Sequence, residues 1–178
     1  MFKRKLIVIN KSLLIILPAE NFNETEYLTV KHILEISGFK LFIASDAHSL
    51  CTGKNGLKVR ADVSFFNMNE NNFAGIIFIG GSGVKNYWGN QNLYKISKKF
   101  YEKKKLVSAI CSAPVILAKA GLLDGKDATC YPDDKNELEK FGINYKDQNV
   151  VISKNIITGK DSSSSRDFAN AIVSFNQN

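Results

Sequence analysis

A chain of 178 residues with 44% hydrophobic side chains can bury one sizeable core, so one domain spanning 1–178 is expected. The net charge of +7 is carried almost entirely by scattered lysines. The densest runs, Lys98-Lys99 and Lys103 to Lys105, flank one helical pattern without stacking aromatics at a groove-like spacing, so no specific nucleic-acid partner is expected. Cys51, Cys111 and Cys130 form no C-x-x-C pair, and the two histidines, His32 and His48, build no metal-spaced cluster. A reduced, cytoplasmic setting with no metal and no cofactor is the expectation.

In chain order, "MFKRKLIVINKSLLIILPA" sets basic residues before an apolar run that Asn10 and Lys11 interrupt. It is too short and broken to span a membrane and lacks a convincing cleavage site, so residues 1–12 are expected to be an extension ahead of a first strand, Leu13–Leu17. A helix follows over Glu24–Ser37, with Asn23 and Glu26 at capping-box spacing. Next come a strand over Lys40–Ala44, an alternating half-exposed stretch over Lys58–Phe66, and a strand over Ile76–Ile79. Helix Leu93–Lys104, strand Leu106–Ile110 and helices Ser112–Ala120 and Asn136–Phe141 continue the alternation. Gly38, Gly121 and Gly142 fall at helix ends. Strands Val150–Ile152 and Ile156–Thr158 precede a last helix, Ser165–Phe175, with Ser164 and Asp167 spaced as a capping box. Near-continuous apolar strands alternating with helices predict a doubly wound α/β fold, a mostly parallel sheet covered on both faces.

Ligands of such sheets gather beyond the carboxyl ends of strands, which selects the loops after Leu17, Ile79 and Ile110. In "KKKLVSAICSAPVILAKAGLLDG" a buried strand turns into a helix at Cys111, among the small residues Ala109, Ser112 and Ala113, with Pro114 in the first helical turn. That is the logic of a nucleophile elbow, and the helix N-terminus is expected to lower the thiol's pKa. A buried cysteine acting only as a small hydrophobe is the alternative. The loop "FIGGSGVKNYW" completes neither G-x-G-x-x-G nor a P-loop; Gly80-Gly81 fit a backbone amide brought close to a ligand, with a bare turn as the alternative. Glu26 shares a helical stripe with Val30 and Ile33. Its carboxyl is therefore expected at the buried face, where desolvation keeps it protonated and able to donate to a thiolate.

Three ordered motifs, "NETEYLTVKHILEISGFKLFIAS", "IIFIGGSG" and "VSAICSAPVILAKAGLLDGKDATCYP", together resemble the DJ-1/PfpI superfamily over about Leu13 to Val173. The resemblance implies a flavodoxin-like sandwich, usually a homodimer, with Cys111 as the elbow cysteine and Glu26 as the glutamate that hydrogen-bonds it. It also implies that the backbone amides of Gly81 and Ser112 face the thiolate or an oxyanion. Gly80, Asn23, Tyr131 and Lys160 are further candidates for the pocket. The chain departs from the protease-like branch, which has a histidine where Ser112 stands. Tyr131 replaces a histidine common in the superfamily, and Asp161-Ser162-Ser163 replaces a Gly-Pro-Gly. Neither His32 nor His48 matches a catalytic position, so peptidase activity is not expected. What remains is a cofactor-independent glyoxalase or deglycase-type enzyme acting on small reactive carbonyls, or a redox sensor or chaperone-like protein working through oxidation of Cys111. A thiamine-pathway role has no distinct motif in this chain.

Overall fold

The computed structural model describes residues 11–46 and 50–177, so most of the expected extension, and His48, lie outside the described residues. Twelve strands and five α-helices follow one another: β1 (Ser12–Ile16), β2 (Glu20–Phe22), α1 (Glu24–Ile36), β3 (Lys40–Ser45), β4 (Leu50–Gly53), β5 (Lys58–Arg60), β6 (Val63–Ser64), β7 (Gly75–Phe78), α2 (Gln91–Glu102), β8 (Leu106–Ile110), α3 (Pro114–Lys119), β9 (Asp127–Ala128), α4 (Lys135–Glu139), β10 (Asn144–Tyr145), β11 (Val150–Ser153), β12 (Ile156–Gly159) and α5 (Ser165–Gln177). Seven strands form the central sheet in the order β11-β12-β8-β7-β1-β3-β6. Every pairing in it is parallel except the edge pair β11–β12. The predicted mostly parallel α/β sheet is the one observed.

Strands β1, β7 and β8 are apolar on both faces because both faces are covered. On one side Leu14, Ile76, Phe78 and Val107 pack with Leu93, Ile96 and Phe100 of α2 and Ile116 and Leu117 of α3. On the other, Leu13, Ile15, Ile77 and Ile110 pack with Tyr27, Val30 and Leu34 of α1 and Phe168 and Ile172 of α5. Each fully buried Leu, Ile or Phe contributes about 1.5–3 kcal/mol of transfer free energy. This two-sided core fixes where the strands end, and their carboxyl ends collect the loops of interest. Among the described residues no helix is long and apolar enough to cross a membrane.

Several local expectations are corrected. The stretch 58–66 splits: β5 pairs antiparallel with β4, whereas β6 joins the edge of the central sheet in parallel. Cys51, whose surroundings read as a polar loop in the sequence, is fully buried in β4. The small β2-β4-β5 sheet supplies its partners, a non-local pairing that four residues of sequence do not announce. The helix after Cys111 begins at Pro114, two residues later than expected, because Cys111 to Ala113 form the turn itself. The turn leading into α5 is capped by Asp161, not by the expected Ser164–Asp167 box. Asp161 Oδ1 accepts from the amides of Ser163 (2.9 Å) and Ser164 (3.3 Å).

Candidate active site

Cys111 has φ = +63°, a left-handed conformation that a side chain with a Cβ rarely adopts. The strain is held by two backbone hydrogen bonds, Cys111 N–H to Gly159 O at 3.0 Å and Tyr131 N–H to Cys111 O at 2.8 Å. The end of β8 is thereby fastened to β12 on one side and to the segment after β9 on the other. The side chain is left at the mouth of the sheet, 7% exposed.

Glu26 projects from the first turn of α1 and is fully buried. Asn23 Oδ1 caps the helix by accepting from the Glu26 amide at 3.2 Å, and the Asn23 amide donates to Gly80 O at 2.9 Å. The Glu26 carboxyl accepts from the Gly80 amide through Oε2 at 2.8 Å. Its Oε1 is buried without a conventional hydrogen-bond partner. The Cys111 thiol is the side chain that interacts with this carboxyl. Gly80 has to be glycine: a Cβ there would stand 2.5 Å from Cys111 Cβ and 2.8 Å from both Glu26 Oε2 and Ile110 O. Gly81, at φ = +112°, has no more room, since a Cβ would meet Asn21 O at 2.4 Å.

Burial raises the Glu26 carboxyl to about 7 against the opposing pull of the Gly80 amide. The thiol is not lowered as expected. Burial first, and then the neighbouring Glu26 carboxylate, push it up to about 12, while the amides of Gly81 and Ser112 pull in the other direction. The helix that was to supply the stabilising dipole is only six residues long. Near neutral pH the thiol therefore keeps its proton while the carboxyl beside it gains or loses one, which makes Glu26 the proton acceptor available to Cys111. The amides of Gly81 and Ser112 face the sulfur, so negative charge arising there meets two fixed donors.

The pair lies at a cleft of about 380 Å³ lined by Asn23, Lys54, Gly81, Ser82, Lys85, Cys111, Ser112, Tyr131 and Ser162. The structure brings Cys111, Glu26, Gly80, Gly81, Ser112, Asn23 and Tyr131 together, but not Lys160, whose ammonium turns away to Asp147 at 2.7 Å. Among the described residues no group of His, Cys, Asp and Glu could hold a metal. Lys54 and Ser162 escaped the sequence reading because other loops carry them into the cleft, and Ser82 and Lys85 because only the glycines of their loop carried a signal. Trp88 was also missed. Its indole N–H donates to Ser112 O at 2.9 Å and braces the elbow from outside the pocket. The hydrophobic "YWG" context gave no signal of that role.

The fold and site define a class: α/β sandwiches whose cysteine sits on a strained strand-to-helix turn beside a buried carboxyl. The chain belongs to the DJ-1/PfpI family, whose sequence profile matches residues 11–175. It is 37% identical over 154 residues to protein MJ0967 of Methanocaldococcus jannaschii, covering 85% of this chain and 75% of that one. It is 31% identical over 146 residues to Deglycase PYRAB04690 of Pyrococcus abyssi, covering 82% and 88% respectively. The crystal structure of a ThiJ/PfpI domain protein from Brachyspira murdochii superposes with a TM-score of 0.92 at 31% identity, over 95% of this chain and 98% of that chain.

Proposed function

We propose that the protein is a cofactor-independent enzyme of the glyoxalase or deglycase type, using Cys111 as a covalent nucleophile on small reactive carbonyls. The observation that carries this reading is the buried Glu26 carboxyl set against Cys111, which lines a cleft on a strained turn with two backbone amides facing the sulfur. Deglycase is also the name borne by the Pyrococcus abyssi relative.

With a 2-oxoaldehyde the thiol sulfur attacks the aldehyde carbon, and its proton passes to Glu26. The carbonyl π electrons move onto oxygen, where the Gly81 and Ser112 amides hold the charge until Glu26 returns the proton to give a hemithioacetal. Glu26 then takes the proton from the former aldehyde carbon to give an enediolate and delivers one to the adjacent carbon, while the hydroxyl proton of the hemithioacetal passes to the second oxygen, leaving a 2-hydroxy thioester. Water hydrolyses the thioester, releasing the 2-hydroxy acid and the thiol. A carboxyl titrating near neutrality suits both directions of transfer, and no histidine is required. His32 lies exposed on α1, and among the described residues no histidine lines the cleft, which is not the arrangement a Cys-His peptidase uses.

Incubating the purified protein with methylglyoxal and following lactate is the direct test, with Cys111→Ser as the comparison. Lactate from the wild type and none above background from the variant is expected. A reduced wild type that forms no lactate, yet whose Cys111 takes up peroxide readily, would replace this reading with a redox sensor. A homodimer and a cytoplasmic location complete the proposal, on family membership and the unpaired thiols respectively. Sedimentation showing only monomer at micromolar concentration would remove the dimer.

A further inference from the structure

We propose that the carbonyl substrate of this site carries a carboxylate arm, received at the rim by Lys54 and Lys85 while Cys111 takes the carbonyl. The inference rests on the carbonyl chemistry above and narrows its substrate class.

Two of the nine residues lining the cleft are lysines, and none is an aspartate or glutamate. The remaining polar groups, the Asn23 amide and the Ser82, Ser112 and Tyr131 hydroxyls among them, are neutral. An anion entering this cleft meets cations and donors, with no lining carboxylate to repel it.

The backbone that carries Lys54 and the ammonium of Lys85 are each anchored. The Lys54 amide donates to Phe22 O at 3.0 Å, and the turn that follows is pinned to α1 through Glu24 Oε1, which accepts from the amides of Asn55 (2.7 Å) and Leu57 (2.9 Å). Gly53 makes this docking possible, since a Cβ there would meet Glu24 Oε1 at 2.3 Å. The Glu24 carboxylate is thus spent on the turn that presents Lys54. Among the described residues Lys54 enters no ion pair, so its charge is the uncompensated one. Lys85 pairs with Asp134 at 2.5 Å, a carboxylate whose other oxygen is buried without a partner. The Lys85 ammonium also lies 5.2 Å from the centre of the Trp88 ring, whose indole N–H braces Ser112. The lysine on this side of the cleft is therefore fixed relative to the oxyanion amide. Its partner Asp134 offsets part of its charge, which leaves Lys54 as the main discriminator and Lys85 as the orienting contact.

The test compares two 2-oxoaldehydes of equal chain length, neutral 2-oxopentanal and anionic 4,5-dioxopentanoate. Each requires only water to become its 2-hydroxy acid, so a difference between them reports the carboxylate. Wild-type kcat/KM should favour 4,5-dioxopentanoate by about tenfold, the scale of one charge-assisted hydrogen bond, and less at high salt. Lys54→Met should bring the ratio toward one, and Lys54→Glu should invert it. Lys98→Met, which removes the same net charge from α2, should leave the ratio where it was. A second readout needs no turnover: 4-oxopentanoate should slow iodoacetamide labelling of Cys111, whereas 2-pentanone should not. Equal kcat/KM for the two aldehydes, or a ratio that Lys54→Glu does not move in a protein of unaltered melting temperature, overturns the proposal. If neither aldehyde is turned over but 4-oxopentanoate still protects Cys111, the carbonyl chemistry falls and the anion site stands. If protection is also absent, both fall.

Discussion

The carboxylate of Glu26 opposes ionisation of the Cys111 thiol, whereas the thiol favours ionisation of the carboxyl, and this makes their roles separable by one substitution. Glu26→Gln keeps an oxygen for the Gly80 amide but cannot carry a proton between substrate atoms. Dicarbonyl turnover should fall by at least about tenfold, the lower part of the range for positioned acid–base groups. The same change removes the carboxylate that pushes the thiol up, so Cys111 should titrate lower, read from thiolate absorbance. A variant that alkylates faster yet turns over more slowly is the expected signature. Equal activity with wild type would leave Glu26 only the structural role of holding the Gly80 amide. Stability carries a second signature. The folded-state pKa of Glu26 is raised from 4.5 to about 7, so the native protein holds a proton that the unfolded chain has lost. The stabilisation is complete below about 4.5 and declines as pH rises through about 7, by up to about 3 kcal/mol. Wild-type melting should therefore fall between pH 5 and 7.5 by more than that of Glu26→Gln, and parallel curves would place the titration elsewhere.

At the scale of elements, the site exists because the carboxyl ends of β7 and β8 approach with no side chain between them. Gly80→Ala puts a methyl 2.8 Å from Ile110 O, a backbone atom that cannot yield, and 2.5 Å from Cys111 Cβ. Overpacking of this kind costs about 1–3 kcal/mol. Urea unfolding of Gly80→Ala should show that loss, while Gly89→Ala, whose added Cβ meets nothing within 4 Å, should lie within about 1 kcal/mol of wild type. Equal midpoints for the two would mean that the elbow relaxes freely. The elements themselves were largely legible. Strands β1, β7, β8 and β12 are near-continuous apolar runs, and that follows from burial on both faces. What the sequence concealed was non-local. Cys51 reads as loop because only β2 and β5, far apart in the chain, make a strand of its neighbourhood. Asp161 displaced the expected cap because a 3₁₀ turn precedes α5, and a capping-box spacing cannot distinguish the two starts.

For the molecule as a whole, Cys111, Glu26 and the glycines were legible because strand-end turns and helix starts carry local signals. Lys54, Lys85 and Trp88 were not, since a lysine on a loop looks the same whether it faces a cleft or open solvent. The three thiols test whether the assembled cleft, and not thiol chemistry in general, governs reactivity. Burial raises all three. Cys51 and Cys130 are fully enclosed, the latter with its Sγ 3.3 Å from Tyr131 O. Cys111 alone of the three lines the candidate cleft, and alone has two backbone amides that lower its pKa. Substoichiometric peroxide should therefore oxidise Cys111 first, with Cys51 and Cys130 following only on unfolding. Peptide mass spectrometry after a short peroxide pulse reads the order directly. Equal oxidation of all three thiols in the folded protein would show that breathing of the core sets their reactivity. In that case the arrangement at the elbow would confer no selectivity of its own.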